Sequence, residues 1–119
     1  LKPSYDLYAY QGQVYYSQDK TDKAIEAWTK AAPMGKDGEM YLNIGKLQVG
    51  EERWAVAKSA AQSALAKAVK KPGDAWMVVA RSEFGRGNKA GVLAAYREAA
   101  KYPETKKTAE AALRQASGK

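Results

Sequence analysis

The chain contains no cysteine and no histidine among its 119 residues. The first absence removes disulfide staples and thiolate nucleophiles; the second removes the commonest general base, so neither a Ser–His nor a Cys–His pair can form. Zero cysteine by itself says little about compartment. The carboxylates are not clustered as metal ligands would be, and Glu51 and Glu52, though adjacent, belong to a turn where neighbouring side chains diverge. The run RGNKAG lacks the GK[ST] ending of a phosphate-cradling loop. An enzyme is therefore not expected, and neither a cofactor nor a metal is called for. No stretch approaches the roughly 18 apolar residues that a spanning helix needs, and no charged-then-apolar leader stands at the start. The chain begins at Leu1 without an initiator Met, which suggests a mature product or an excised piece.

What is present is charge, unevenly placed. The formal net charge is +7, from 20 Lys and Arg against 13 Asp and Glu. Residues 1–52 carry 6 basic and 8 acidic side chains, whereas residues 53–119 carry 14 and 5. A basic C-terminal half favours anionic partners, whether acidic protein segments, phosphates or anionic membrane surfaces. The competing reading is a solvated face on alanine-rich helices, and it takes the larger share. The length suits one domain, residues 1–119, that buries about two thirds of its unfolded surface.

The stretch YAYQGQVYYSQDKTDKAIEAWTKA, Tyr8 to Ala31, sets the pattern for the rest. Gly12 and Tyr15 mark one helical run, Ala24, Trp28 and Ala31 a second, and SQDKTD separates them. Moving 33 residues on places Gly45, Ala57 and Ala64 at the same points; another 35 gives Ala80, Val92 and Ala99. Two helices per period of about 34 residues is a solenoid signature. The expected repeats are residues 5–37, 38–72 and 73–104, followed by a capping helix over 105–117.

These residues resemble the tetratricopeptide repeat family. The second copy supplies Tyr41, Ile44, Gly45, Ala57 and Ala64, and the third Trp76, Val79, Ala80, Tyr96, Ala99 and Pro103. The match covers about residues 5–103, and three copies in phase make it specific. Two positions depart from the pattern. Ala61 stands where the other copies carry Trp28 and Tyr96, and Val92 stands where a small residue is usual. Trp54, seven residues before Ala61, is expected to fill the missing volume. The resemblance implies an all-α, right-handed superhelical solenoid of three helical hairpins plus a cap, acting as a non-catalytic protein-binding scaffold. A narrower likeness covers the last two repeats and the cap, YLNIGKLQVGEERWAVAKSAAQSALAK onward. That part looks like the C-terminal repeats of proteobacterial tetratricopeptide proteins that accompany TonB and ExbB/ExbD systems, which implies the periplasm and a supporting role in energised uptake.

Helices are expected over Pro3–Gln18, Thr21–Ala32, Gly38–Val49, Arg53–Val69, Asp74–Phe84, a sixth running from its Asn88 cap to Lys101, and TKKTAEAALRQA at the end. Thr21 or Asp22 and Asp37 are expected to cap the second and third, and Gly87 to take a left-handed conformation. In the fourth, Lys58, Lys67, Lys70 and Lys71 form a basic side opposite the alanines. The last helix has a polar outer face, as a terminal cap requires, so the chain is expected to end near Lys119 and to continue upstream of its start. Five of the eight tyrosines fall between Tyr5 and Tyr16 and point around most of the first helix. Either an upstream repeat or a second copy packs there, through Tyr5 and Tyr10, or the rings sit at the solvent edge of the core.

In the family the first helix of each repeat lines the concave face, which allows the groove to be read in rungs. The first rung is Ala9, Leu42 and Met77; the second Gln13, Lys46 and Arg81; the third Tyr16, Val49 and Phe84. Apolar walls with two cations between them suit a peptide whose carboxylate meets Lys46 and Arg81. The alternative is that Leu42 and Met77 pack between repeats while Lys46 and Arg81 are only solvated or pair with nearby acids such as Glu39 or Glu83. Asn43 and Lys46 match only part of the carboxylate clamp of chaperone-binding members, so a cochaperone is not expected. Nucleic-acid binding by the basic half is a lesser alternative, since related hairpin repeats read RNA one base per repeat.

Overall fold

The three turns that join paired helices are superimposable in their hydrogen bonds. In the computed structural model, which describes residues 4–117, the helices are α1 (Tyr5–Ser17), α2 (Thr21–Ala31), α3 (Glu39–Gly50), α4 (Trp54–Lys67), α5 (Pro72–Gly85), α6 (Lys89–Ala99) and α7 (Lys106–Ser117). A 3-10 turn, Ala32–Met34, extends α2. No strand occurs among the described residues. Each first helix ends with a residue at positive φ: Asp19 at 59°, Glu52 at 59° and Gly87 at 75°. The next amide then donates back five residues, Lys20 to Tyr15, Arg53 to Gln48 and Asn88 to Glu83, each at 2.9 Å. That is the six-to-one closure of a Schellman turn, here spaced by 33 and 35 residues. It reverses the chain in a fixed way and so fixes the repeat.

Helix ends agree with the sequence expectation to within two residues; the expected start at Pro3, like both chain ends, lies outside the described residues. Asp37 accepts from the Glu39 amide at 3.1 Å, and Asn88 caps α6 through the Gly91 amide at 3.1 Å. Neither Thr21 nor Asp22 caps α2. The Schellman closure leaves Lys20 at the cap position with no side-chain bond, and Asp22 instead meets Arg53 at 2.7 Å.

The alanine and aromatic stripes meet in two adjoining clusters. One joins Ile25, Trp28, Ala31, Met40 and Ile44; the other joins Leu42, Ala57, Ala61, Val78, Val79 and Ala95. The helices stack into a solenoid 56 Å long and 24 by 20 Å across. Packing near Ala61 differs from expectation. A β-carbon at Gly85 would run into the ring of Trp54, so that ring lies on α5 of the next hairpin and does not fill the space beside Ala61. The space closes because α3 and α4 approach: a β-carbon at Gly45 would meet the Ala57 oxygen at 3.4 Å and the Ala61 nitrogen at 3.6 Å.

The expected basic side of α4 is also partly spent on the fold. Lys67 Nζ donates to the carbonyl oxygens of Ala32, Pro33 and Gly35, at 3.3, 3.1 and 2.6 Å, and so satisfies the open end of α2. Lys58 pairs with Glu83 on α5 at 3.1 Å. Where α4 ends, Ala68 takes φ 75° and ψ 133°, a conformation costly for a residue with a β-carbon, and its carbonyl accepts from the Gly38 amide at 2.7 Å.

Candidate functional site

Helices α3 and α5 pack on each other, and α1 reaches α3 through Tyr5, Tyr8 and Ala9, which lie on the cluster that holds Met40 and Ile44; the three rungs are spread over these three helices. On the first rung Leu42 is 4% exposed and belongs to the core with Ala57 and Ala61, which removes it from any partner surface. Ala9 and Met77 are half-buried, and the Ala9 carbonyl accepts from Trp28 Nε1 at 3.1 Å. The rung is therefore mostly an inter-helix seam, because α3 is flanked on both sides and its middle residues turn inward.

On the second rung Gln13, Lys46 and Arg81 are all exposed. Neither cation has an ion-pair partner among the described residues. The two acids expected as partners are engaged elsewhere: Glu39 accepts from the Lys70 amide at 2.7 Å, and Glu83 holds Lys58, Arg86 and Asn88 at 3.1, 2.9 and 3.0 Å. Glu83 is 4% exposed. Burial pushes its carboxyl up, but the Lys58 and Arg86 contacts outweigh that and hold it below the ordinary value of 4.5. This buried acid joins α4, α5 and the start of α6, and leaves Arg81 free.

The third rung is apolar. Tyr16 is 48% exposed and its ring lies 5.9 Å from that of Trp28, Val49 is half-buried, and Phe84 is 78% exposed. Phe84 stands between two clefts. One of about 450 Å3 is walled by α7 through Ala112 and Ala116 and floored by Val92, Leu93 and Tyr96 of α6, with Lys89 at its edge. The other, about 350 Å3, is lined by Val49, Trp54, Arg81 and Tyr96. The sequence reading reached Phe84 and Arg81 but missed the first cleft, whose far wall depends on the angle at which α7 packs. A signal was present: Val92, large where the pattern is small, sits beside Leu93 on the first turn of α6.

The tyrosines are mostly accounted for within the chain. Tyr5 and Tyr8 pack on the first core cluster, and the Tyr5 ring lies against Gly35. Lys30 sits 5.7 Å over the Tyr8 ring and Lys23 5.7 Å over Tyr15. Tyr5 is thus directed to its own chain, while Tyr10 remains 69% exposed. No group of three or more acids among the described residues is placed to hold a metal ion, and no described helix is long and apolar enough to cross a membrane.

No protein-family model matches the chain, and no curated protein matches it. Among solved structures the chain is similar to the Arabidopsis OM64 TPR domain, with a TM-score of 0.77 and 19% sequence identity over 93% of this chain and 92% of that one. The fold is thus that of a tetratricopeptide repeat solenoid.

Proposed function

We propose that this chain is a non-catalytic protein-binding module that holds a partner segment on the face shared by α1, α3 and α5. The observation that carries this reading is Phe84. The chain's one phenylalanine is 78% exposed, beside Val49, Trp54 and Arg81, a cation that the fold does not use. Exposed apolar surface of that kind, rimmed by polar groups, marks interaction sites. The partner carries acidic or carboxylate groups that complement Lys46 and Arg81. A periplasmic place beside a TonB-type uptake system is the narrower form of the proposal, and its support is the likeness of the last two repeats and cap. Co-purification with ExbB/ExbD from an envelope extract would support it.

The test compares the native chain with Lys46→Glu/Arg81→Glu in a pull-down, after both show equal helicity and melting. A partner retained by the native chain and lost by the double variant supports the reading; identical partners for both overturn it. Self-association is a second reading, favoured by the 69% exposure of Tyr10. It requires a mass that rises with concentration and falls back on Tyr10→Ala.

A further inference from the structure

The clefts on either side of Phe84 share that ring as a ridge and the half-buried Tyr96 ring as part of their floor. Their walls are otherwise contributed by different elements: α6 and α7 on one side, α3 and α4 on the other. Each cleft is mainly apolar and each has one cation at its edge, Lys89 in the first and Arg81 in the second. Neither cation has an ion-pair partner among the described residues, whereas the neighbouring Lys58 and Arg86 are neutralised by Glu83.

Both clefts are open to solvent, and the ridge between them stands proud of the surface. A small ligand needs concave walls that take up most of its area, about 70–90% of it. An open pair of clefts separated by an exposed aromatic ring suits an extended occupant that covers the ridge and fills both sides. From this geometry we infer that the site binds an acidic peptide segment with two bulky apolar side chains, one in each cleft, that straddle Phe84. The segment's carboxylates meet Lys89 and Arg81. Charge complementarity selects the acidic class, since residues 53–119 hold 14 basic against 5 acidic side chains and these two are unpaired. Apolar anchors beside a central aromatic supply most of the affinity, and the cations set which segments are accepted.

This deepens the protein-binding reading and rests on it. The test is selection of random dodecapeptides displayed on phage against the immobilised chain. Enriched peptides are then made with a fluorescein label and titrated by fluorescence anisotropy. The expected result is a set of sequences with two bulky apolar residues and at least one Asp or Glu. Phe84→Ala weakens their binding about tenfold, Lys89→Glu and Arg81→Glu weaken it severalfold, and Lys36→Glu, at an exposed lysine beside Met34 and Asp37 and outside both clefts, leaves it unchanged. Ala112→Trp, which fills the first cleft from α7, blocks binding with Phe84 still present. Should that variant misfold, Phe84→Ala decides alone, because its side chain supports no core contact. Peptides that bind regardless of Phe84→Ala yet are lost with Lys46→Glu overturn this inference and leave the protein-binding reading standing. Absence of any selected peptide overturns both. Concentration-dependent mass that disappears on Phe84→Ala also overturns it, since the occupant is then a second copy.

Discussion

The first two hairpins carry glycine at the same repeat position and close on it by opposite means. In α1–α2 the small residue Gly12 leaves room for the Trp28 ring, whose Nε1 donates to the Ala9 carbonyl across the pair. In α3–α4 the residue opposite is Ala61, and Gly45 lets the two backbones approach instead. A hairpin closed on an aromatic buries a large apolar area by itself. A hairpin closed on alanine buries less, and the second is fastened to its neighbours by ties that the first lacks. Lys67 reaches back to the end of α2 and Lys58 reaches forward to Glu83, while inside the hairpin Ala68 holds a strained conformation and its carbonyl accepts from the Gly38 amide. The repeat position is preserved while the source of stability shifts from side-chain volume to polar ties.

This contrast can be broken from either end. Trp28→Ala should cost about 3–5 kcal/mol in chemical denaturation, by cavity and lost transfer energy. Ala61→Gly, at the equivalent place, should cost only about 1 kcal/mol from helix propensity. Glu83→Gln should cost about 2 kcal/mol at neutral pH by loss of charge-assisted bonds. Its pH dependence is specific. The folded carboxyl lies below its ordinary 4.5, so its contribution is complete above that value and is lost as pH falls through the folded value. The stability gap between native and Glu83→Gln, read from urea curves at successive pH values, should therefore shrink below pH 4.5.

Smaller effects sharpen the same comparison. Gly12→Ala drives a β-carbon into the Trp28 ring and should destabilise by about 1–2 kcal/mol even after the helix gains alanine propensity. At Gly45 the tightest approach is 3.3 Å to Val78 Cγ1, so Gly45→Ala should stay within about 1 kcal/mol of native, the clash and the propensity gain offsetting each other. Ala68→Gly relieves the positive φ and should raise stability by roughly 0.5–1 kcal/mol, seen as a higher melting temperature.

The repeat was legible because it is written in local chemistry. Alanine and aromatic spacing, Gly87 in its turn and Asn88 before α6 each act within a few residues, and the structure places them as read. Apart from the cap of α2, which the Schellman turn shifts to Lys20, the errors share one cause: they concern which neighbouring helix a long side chain meets. Trp54 lies two turns from Ala61 on the same face, yet its ring goes to Gly85 on the following helix. Lys67 reads as a solvated cation, and only the stacking of α4 beside the end of α2 gives it three carbonyls. Leu42 has the spacing of a groove residue, and α3, covered on both sides, buries it. On the candidate surface Arg81 and Phe84 could be named from the sequence. The cleft beside them could not, because α7 forms one wall at a packing angle that no short-range pattern encodes.

The surface around Phe84 is separable from the core that Gly12 and Trp28 maintain. The most direct measurement pairs melting temperature with affinity for a selected acidic peptide, on Phe84→Ala and Gly12→Ala side by side. Phe84→Ala should melt within about 2 °C of native and bind about tenfold more weakly. Gly12→Ala should melt clearly lower and, at a temperature where it is folded, bind as the native chain does. A Phe84→Ala variant that binds normally, or whose lost affinity only follows lost stability, would contradict the account.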